Sequence, residues 1–301
     1  MRLKLSTQGP DVSRIVYGVW RLAADPAGVT RDRILEKIQT AIEMGITTFD
    51  HADIYGNYSC EELFGSALAN SPTLRDSMEL ITKCDIKLVS PKRPAHSIKH
   101  YDTSREHIIS SVETSLRNLR TDRIDVLLLH RPDPLLDADE VAGAFTDLRE
   151  QGKVLHFGVS NFTVPQMELL ASRLSFPLVT NQIEISVLEM ASLQDGTLDY
   201  CQKLRISPMA WSPLAGGTLF ASNNPRIVRV RESLQQVARE QGATEEQVAL
   251  AWLLRHPARI VPVIGTNNLE RLKNLAAANR FILSREQWFA IWTASIGHPV
   301  P

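Results

Sequence analysis

Eight short apolar runs, each followed by a stretch of helical periodicity, constrain this chain more than any other feature of its 301 residues. They fall at positions 15–20, 46–50, 79–83, 124–130, 154–160, 178–183, 206–212 and 260–265. Each is apolar nearly throughout, as strands buried on both faces of a parallel sheet must be. Helical spacing fills the intervals at 33–44, 104–119, 139–150, 165–171, 226–240, 245–254 and 269–278. In the first, Ile34, Ile38, Ala41 and Ile42 share one stripe. Strands alternating with helices, joined by short right-handed crossovers, predict an α/β protein of the (β/α)₈ TIM-barrel type, with residues 1–301 forming a single domain. The opening RLKLS, QGPD and VSRIVY predict an N-terminal β-hairpin with a Gly-Pro turn, expected to cap the barrel bottom. A doubly wound open sheet would place G-x-G-x-x-G after the first strand; YGVWRL stands there instead.

Composition narrows the partners. Hydrophobic residues make up 44% of the chain, enough for a large core without staples. A formal net charge of -1, with no long basic run, argues against nucleic acid or an anionic membrane surface. Cys60, Cys84 and Cys201 are odd in number and far apart, which fits a reducing compartment. The opening MRLKLSTQGPDVSR lacks the apolar core of a signal peptide, and no apolar stretch is long enough to span a bilayer. The expectation is a soluble, cytoplasmic protein. One long irregular segment, 85–103, is broken by Pro91 and Pro94; following the third strand, it is expected to overhang the barrel mouth.

Several runs stop at side chains suited to proton transfer. Asp50 follows ITTF, Tyr55 lies just beyond it, Lys83 ends ELITK, and His130 ends IDVLLLH. A parallel barrel gathers its chemistry at those strand ends. A free phenol is a reluctant acid at neutral pH, and a nearby ammonium is expected to draw its pKa down. Asp50 can hold Lys83 charged and in place, while His130 can donate an N–H to an oxygen lying against Tyr55. The set could grip a carbonyl oxygen and protonate it. No Ser or Cys sits in a nucleophile elbow, so the electron pair has to come from a cofactor.

The segments ITTFDHADIYG, LITK, DRIDVLLLHRPD, GKVLHFGVSNF, TNQIEIS, MAWSPLAGG and VPVIGT-x-x-x-x-R resemble the aldo-keto reductases, over nearly the whole span from Gly18 to Arg271. SPKRPAHSIKHYDTS and LSREQW are similar to a bacterial branch of predicted oxidoreductases. The resemblance implies that Tyr55 is the general acid, Lys83 its pKa-lowering partner, Asp50 the anchor of Lys83, and His130 the residue that orients the carbonyl. It also implies a nicotinamide cofactor lying extended across the mouth.

The residues suit such a cofactor. Ser160, Asn161 and Gln182 offer groups fitted to a carboxamide, and Trp211, where many relatives carry Tyr, offers a ring face. Trp20 and Arg21 end the first strand and also face the mouth, Trp20 either as an apolar wall for substrate and cofactor or as a rim residue packing against the hairpin. Ser212, Pro213, Leu214, Ala215 and Gly216 form a loop suited to a pyrophosphate. Gly265, Thr266 and Asn267 lead into a helix bearing Arg271 and Asn274, and Arg271 would neutralise a 2′-phosphate. The expected cofactor is NADPH/NADP+ in preference to NADH, with a small-molecule carbonyl substrate and a monomeric chain. A basic residue found in many relatives is missing where Val263 and Ile264 stand. Two rival readings are a nucleotide-sensing subunit without turnover and a metal-dependent hydrolase. The hydrolase needs several His and Asp ligands at strand ends, where only His130 qualifies, and no metal site is expected.

Overall fold

The computed structural model describes residues 2–69 and 71–300. Eight parallel strands close into a barrel in which every strand lies beside its sequence neighbours. They are β1 (Val16–Gly18), β2 (Thr48–Asp50), β3 (Glu79–Cys84), β4 (Ile124–Leu129), β5 (Val154–Ser160), β6 (Leu178–Glu184), β7 (Met209–Trp211) and β8 (Val261–Ile264). Helices α1 (Arg31–Glu43), α2 (Cys60–Leu68), α3 (Arg105–Leu119), α4 (Ala138–Glu150), α5 (Val164–Ala171) and α6 (Thr197–Leu204) fill the first six crossovers. A single helical turn at Thr218–Ala221 and two longer helices, α7 (Pro225–Gln241) and α8 (Glu245–Leu254), fill the seventh, and α9 (Leu269–Ala276) and α10 (Arg285–Ile296) follow β8.

The helix starts follow from local chemistry. Ser104 accepts from the His107 amide at the head of α3, and Asp137 accepts from two amides at the head of α4. Thr244 and Ser284 form capping boxes with Gln247 and Gln287. Helices α2, α6 and α10 lie in stretches where the periodicity predicted none.

Antiparallel strands at Arg2–Lys4 and Asp11–Ser13 form the hairpin. Leu3, Leu5 and Val12 join Val16, Ile81, Val126, Leu128, Val179, Met209, Val261 and Val263 in one buried interior cluster. Two residues along from those apolar layers, the same inward face presents Lys83 after Ile81 and His130 after Leu128. Strand periodicity therefore delivers polar side chains to the C-terminal mouth of an apolar cylinder.

Strand β6 departs from that alternation. Its register against β5 shifts between Leu178 and Asn181. Val179 faces the interior, so strict alternation would send Asn181 inward. After the shift it is Gln182 that turns in, while Asn181 donates to the Phe162 carbonyl and the Met167 sulfur. The 85–103 segment is less irregular than its prolines suggest. Ile86–Lys87 pairs antiparallel with His100–Tyr101, an ion pair joins Lys87 to Asp102, and the Leu88 amide donates to the Tyr58 hydroxyl at 2.8 Å.

Candidate active site

At the end of β2 the chain turns through Ala52 and Asp53 to Tyr55. Gly56 follows with φ +58, and a Cβ there would lie 2.6 Å from the Cys60 sulfur and 2.7 Å from the Ala23 Cβ. Only glycine fits, and the tight turn sets the direction of Tyr55.

Lys83 is 1% exposed, and its ammonium has a full set of partners. It donates to the Asp50 carboxylate at 2.7 and 2.8 Å, to the His51 carbonyl at 2.7 Å and to the Tyr55 Oη at 3.2 Å. Gln182 gives its Nε2 to Asp50 at 2.8 Å from across the barrel. Because Tyr55 accepts from Lys83, its own hydroxyl proton is left to point elsewhere. The His130 ring stands edge-on to the Tyr55 ring, with centroids 6.0 Å apart. Its Nδ1 is buried without a partner among the described residues. All four residues that the sequence put forward for catalysis thus meet at one place.

Their electrostatics differ from the sequence expectation in one respect. Burial pushes the Tyr55 phenol up, the Lys83 ammonium pulls it down, and burial prevails. Tyr55 therefore holds its proton above the ordinary phenol range rather than below it. Burial also works against the charge on Lys83, but Asp50 and Tyr55 more than offset it and the pKa lies above its usual value. His130 is held well below the usual imidazole range by burial and by the cations Lys83, Arg131 and Lys99. At neutral pH the site contains an ammonium, an intact phenol and a neutral imidazole.

The residues nominated for the cofactor fall into three groups. Ser160, Asn161 and Trp211 are knitted together beside His130. Asn161 donates to the Ser160 hydroxyl at 2.9 Å and the His130 carbonyl at 3.3 Å, and accepts from the Trp211 indole N–H at 2.9 Å. Trp20 is 60% exposed at the mouth and carries the Arg21 guanidinium over its ring. The second group is the loop after β7. Pro213 and Leu214 are buried, Ser212 and Ala215 have positive φ, and Gly216 and Gly217 follow at φ 64 and 99. The third group follows β8. There the Gly265 carbonyl accepts from Arg21, and Thr266 is buried with its hydroxyl on the Asn268 amide. Asn267 is engaged inside the fold at both ends of its amide, by Lys37 and by the Arg21 carbonyl. Arg271 and Asn274 line up on α9. Asn274 borders an open groove of about 720 Å³, also lined by Phe220, Arg239, Thr244 and Glu246.

At this face Glu246 escaped the sequence reading, as did the partners of Arg21, a residue the sequence puts at the end of the first strand. Arg21 donates to the Gly216 and Gly265 carbonyls, both at 3.3 Å, and so lays a positive charge between the loops after β7 and β8. Glu246 pairs with Arg271. Glu246 belongs to no motif, and no spacing pointed to it. The paired histidines of the 85–103 segment, His96 and His100, each turn Nδ1 to a backbone carbonyl. No helix among the described residues is long and apolar enough to cross a membrane.

Comparison with known proteins agrees with this geometry. The model of the aldo/keto reductase family matches residues 14–295. An uncharacterized oxidoreductase, YcsN of Bacillus subtilis, is 52% identical over 96% of each chain. A 6-dehydroglucose reductase of Agrobacterium fabrum is 48% identical, again over 96% of each chain. A crystal structure of a thermostable aldo-keto reductase in complex with the inhibitor epalrestat superposes with a TM-score of 0.83 at 27% identity, covering 98% of this chain and 99% of that one. Fold and relatives together define an oxidoreductase built on a parallel α/β barrel. The chain belongs to the aldo/keto reductase family.

Proposed function

We propose that this protein reduces the carbonyl of an aldehyde or ketone to an alcohol, with NADPH as the preferred reductant and Tyr55 as general acid. The observation that carries the reading is the direction of the Lys83–Tyr55 hydrogen bond: the ammonium donates, so the phenolic proton is free for a substrate oxygen. The chain's residues fit a nicotinamide dinucleotide. Amide and hydroxyl groups stand at Ser160, Asn161 and Gln182, an indole at Trp211, Arg21 lies between the last two loops, and a groove adjoins Asn274. When bound, the reduced nicotinamide would supply the electron pair that no side chain here can provide.

The residues divide the remaining work. Tyr55 and His130 hold the carbonyl oxygen and polarise it, and Tyr55 gives up its proton as charge develops on that oxygen. Lys83 stabilises the phenolate that results, and Asp50 with Gln182 keeps the ammonium aimed. Trp20 and Trp211 wall the mouth, with Arg131 over the Trp211 ring at 5.6 Å and Glu184 exposed at the end of β6. This mixture of aromatic and charged groups suits a polar aldehyde, and the likeness to a 6-dehydroglucose reductase points to polyhydroxylated aldehydes. The N-terminal hairpin closes the opposite end, with Leu3, Leu5 and Val12 as its plug.

Consumption of NADPH with a panel of sugar, aliphatic and aromatic aldehydes tests the reading. Turnover is expected with at least one polar aldehyde. Tight NADPH binding without turnover on any of them would replace the reductase with a nucleotide-sensing role.

The pH dependence follows from the shifts. The active form of Tyr55 is the protonated one, and its pKa is raised, so activity is lost only as pH climbs past the ordinary phenol range. His130, depressed, is already neutral at mildly acidic pH. At saturating cofactor and substrate, the rate of carbonyl reduction should be flat from about pH 6 to about pH 9. A limb centred near pH 7 in that profile would remove Tyr55 as a buried, undissociated acid.

A further inference from the structure

The guanidinium of Arg271 is engaged by a carboxylate. Its NH2 lies 2.8 Å from Glu246 Oε1, with the two side chains 39% and 22% exposed. Glu246 sits in the first turn of α8, where the helix favours a negative charge. It also accepts from Asn274 Nδ2 at 3.4 Å, and Asn274 is held in turn by Gln247 at 2.9 Å. Meanwhile Arg271 Nε is buried and has no partner among the described residues. The side chain nominated to receive a phosphate is thus half satisfied, and by an anion that belongs to the chain.

On the reading that the cofactor is a nicotinamide dinucleotide, we propose that Glu246 is a specificity-determining residue that limits the preference for NADPH over NADH. A 2′-phosphate brought to Arg271 meets the Glu246 carboxylate at contact distance, and like charges there oppose binding. A 2′-hydroxyl meets no such opposition and can donate to the same carboxylate. One carboxylate on the rim of the groove therefore weakens the phosphorylated dinucleotide selectively. The wild-type protein is expected to bind both cofactors, with NADPH favoured less than Arg271 alone would allow. Glu246→Gln retains size and helix position while removing the charge.

The test is equilibrium binding, followed by quenching of tryptophan fluorescence and repeated by calorimetry with 2′,5′-ADP and 5′-AMP. Glu246→Gln should tighten NADPH and 2′,5′-ADP by about tenfold and leave NADH and 5′-AMP within about twofold, the scale of one like-charge contact between a carboxylate and a phosphate near a protein surface. In the Arg271→Met background the same change should tighten NADPH at least as much, because the phosphate then faces the Glu246 carboxylate with no cation beside it. Equal tightening of NADPH and NADH would mean a reshaped groove and overturn the proposal. So would NADPH affinity unchanged by Glu246→Gln. A wild-type protein that binds neither dinucleotide would overturn the cofactor reading itself, a result separable from the other two because it precedes any substitution.

Discussion

Tyr55→Phe is expected to lower turnover by at least about 10²-fold, the scale seen when one donor to a developing oxyanion is deleted, while NADPH binds as before. The substitution removes one oxygen and the proton it carries. Lys83 retains the Asp50 carboxylate and the His51 carbonyl, so no buried charge is stranded. Thermal stability should accordingly move little, by about 1 kcal/mol, the worth of a single hydrogen bond. Steady-state rates with an aldehyde substrate, set beside a cofactor titration of the same sample, separate the two effects. Wild-type turnover in the phenylalanine variant would take Tyr55 out of the chemistry. Loss of cofactor binding together with turnover would make it a positioning residue.

That experiment rests on residues that could be read before any coordinates. Asp50, Lys83 and His130 were visible because each ends or directly follows an apolar run, and a barrel presents such ends at one face. Strand period explains their convergence as well, since Lys83 stands two residues beyond Ile81 and His130 two beyond Leu128 on the inward face. Gln182 is different. Its link to Asp50 depends on the register shift in β6, and a one-residue slip leaves no mark in composition or spacing.

Longer-range features were hidden for the same reason. Arg21 and Glu246 act on groups roughly 195 to 244 and 25 residues away in sequence, through contacts set by how loops and helices dock. The sign of the Tyr55 shift was also misjudged from sequence. Proximity to an ammonium could be inferred, but the depth of burial that outweighs it could not. Helix α10 was missed because tertiary packing rather than a clean apolar stripe defines it, whereas α2 and α6 are short but do carry stripes, Cys60, Phe64, Ala67 and Leu68 in one and Leu198 and Cys201 in the other. In α10 the aromatic residues Trp288, Phe289 and Trp292 cluster together, and Trp288 stacks on Trp252 with ring centroids 4.7 Å apart.

The same buried pair that aims Lys83 makes it the most damaging side chain in the site to remove. In Lys83→Met the Asp50 carboxylate, 2% exposed, keeps only the Gln182 amide as a side-chain partner among the described residues. Stranding one member of a buried ion pair costs about 3–5 kcal/mol, which for a chain of this size is a fall in melting temperature on the order of 10 °C. Turnover should fall too, since nothing remains to stabilise the Tyr55 phenolate. Stability and chemistry can be parted by a second substitution. Asp50→Asn in the Lys83→Met background removes the orphaned charge and still offers an oxygen to Gln182. The double variant should regain most of the lost melting temperature and none of the lost turnover, because burying no ion at all is far less costly than burying one alone. Recovery of turnover together with stability would mean that the ammonium only props up the fold. A Lys83→Met protein as stable as wild type would mean that Asp50 finds another way to shed its charge.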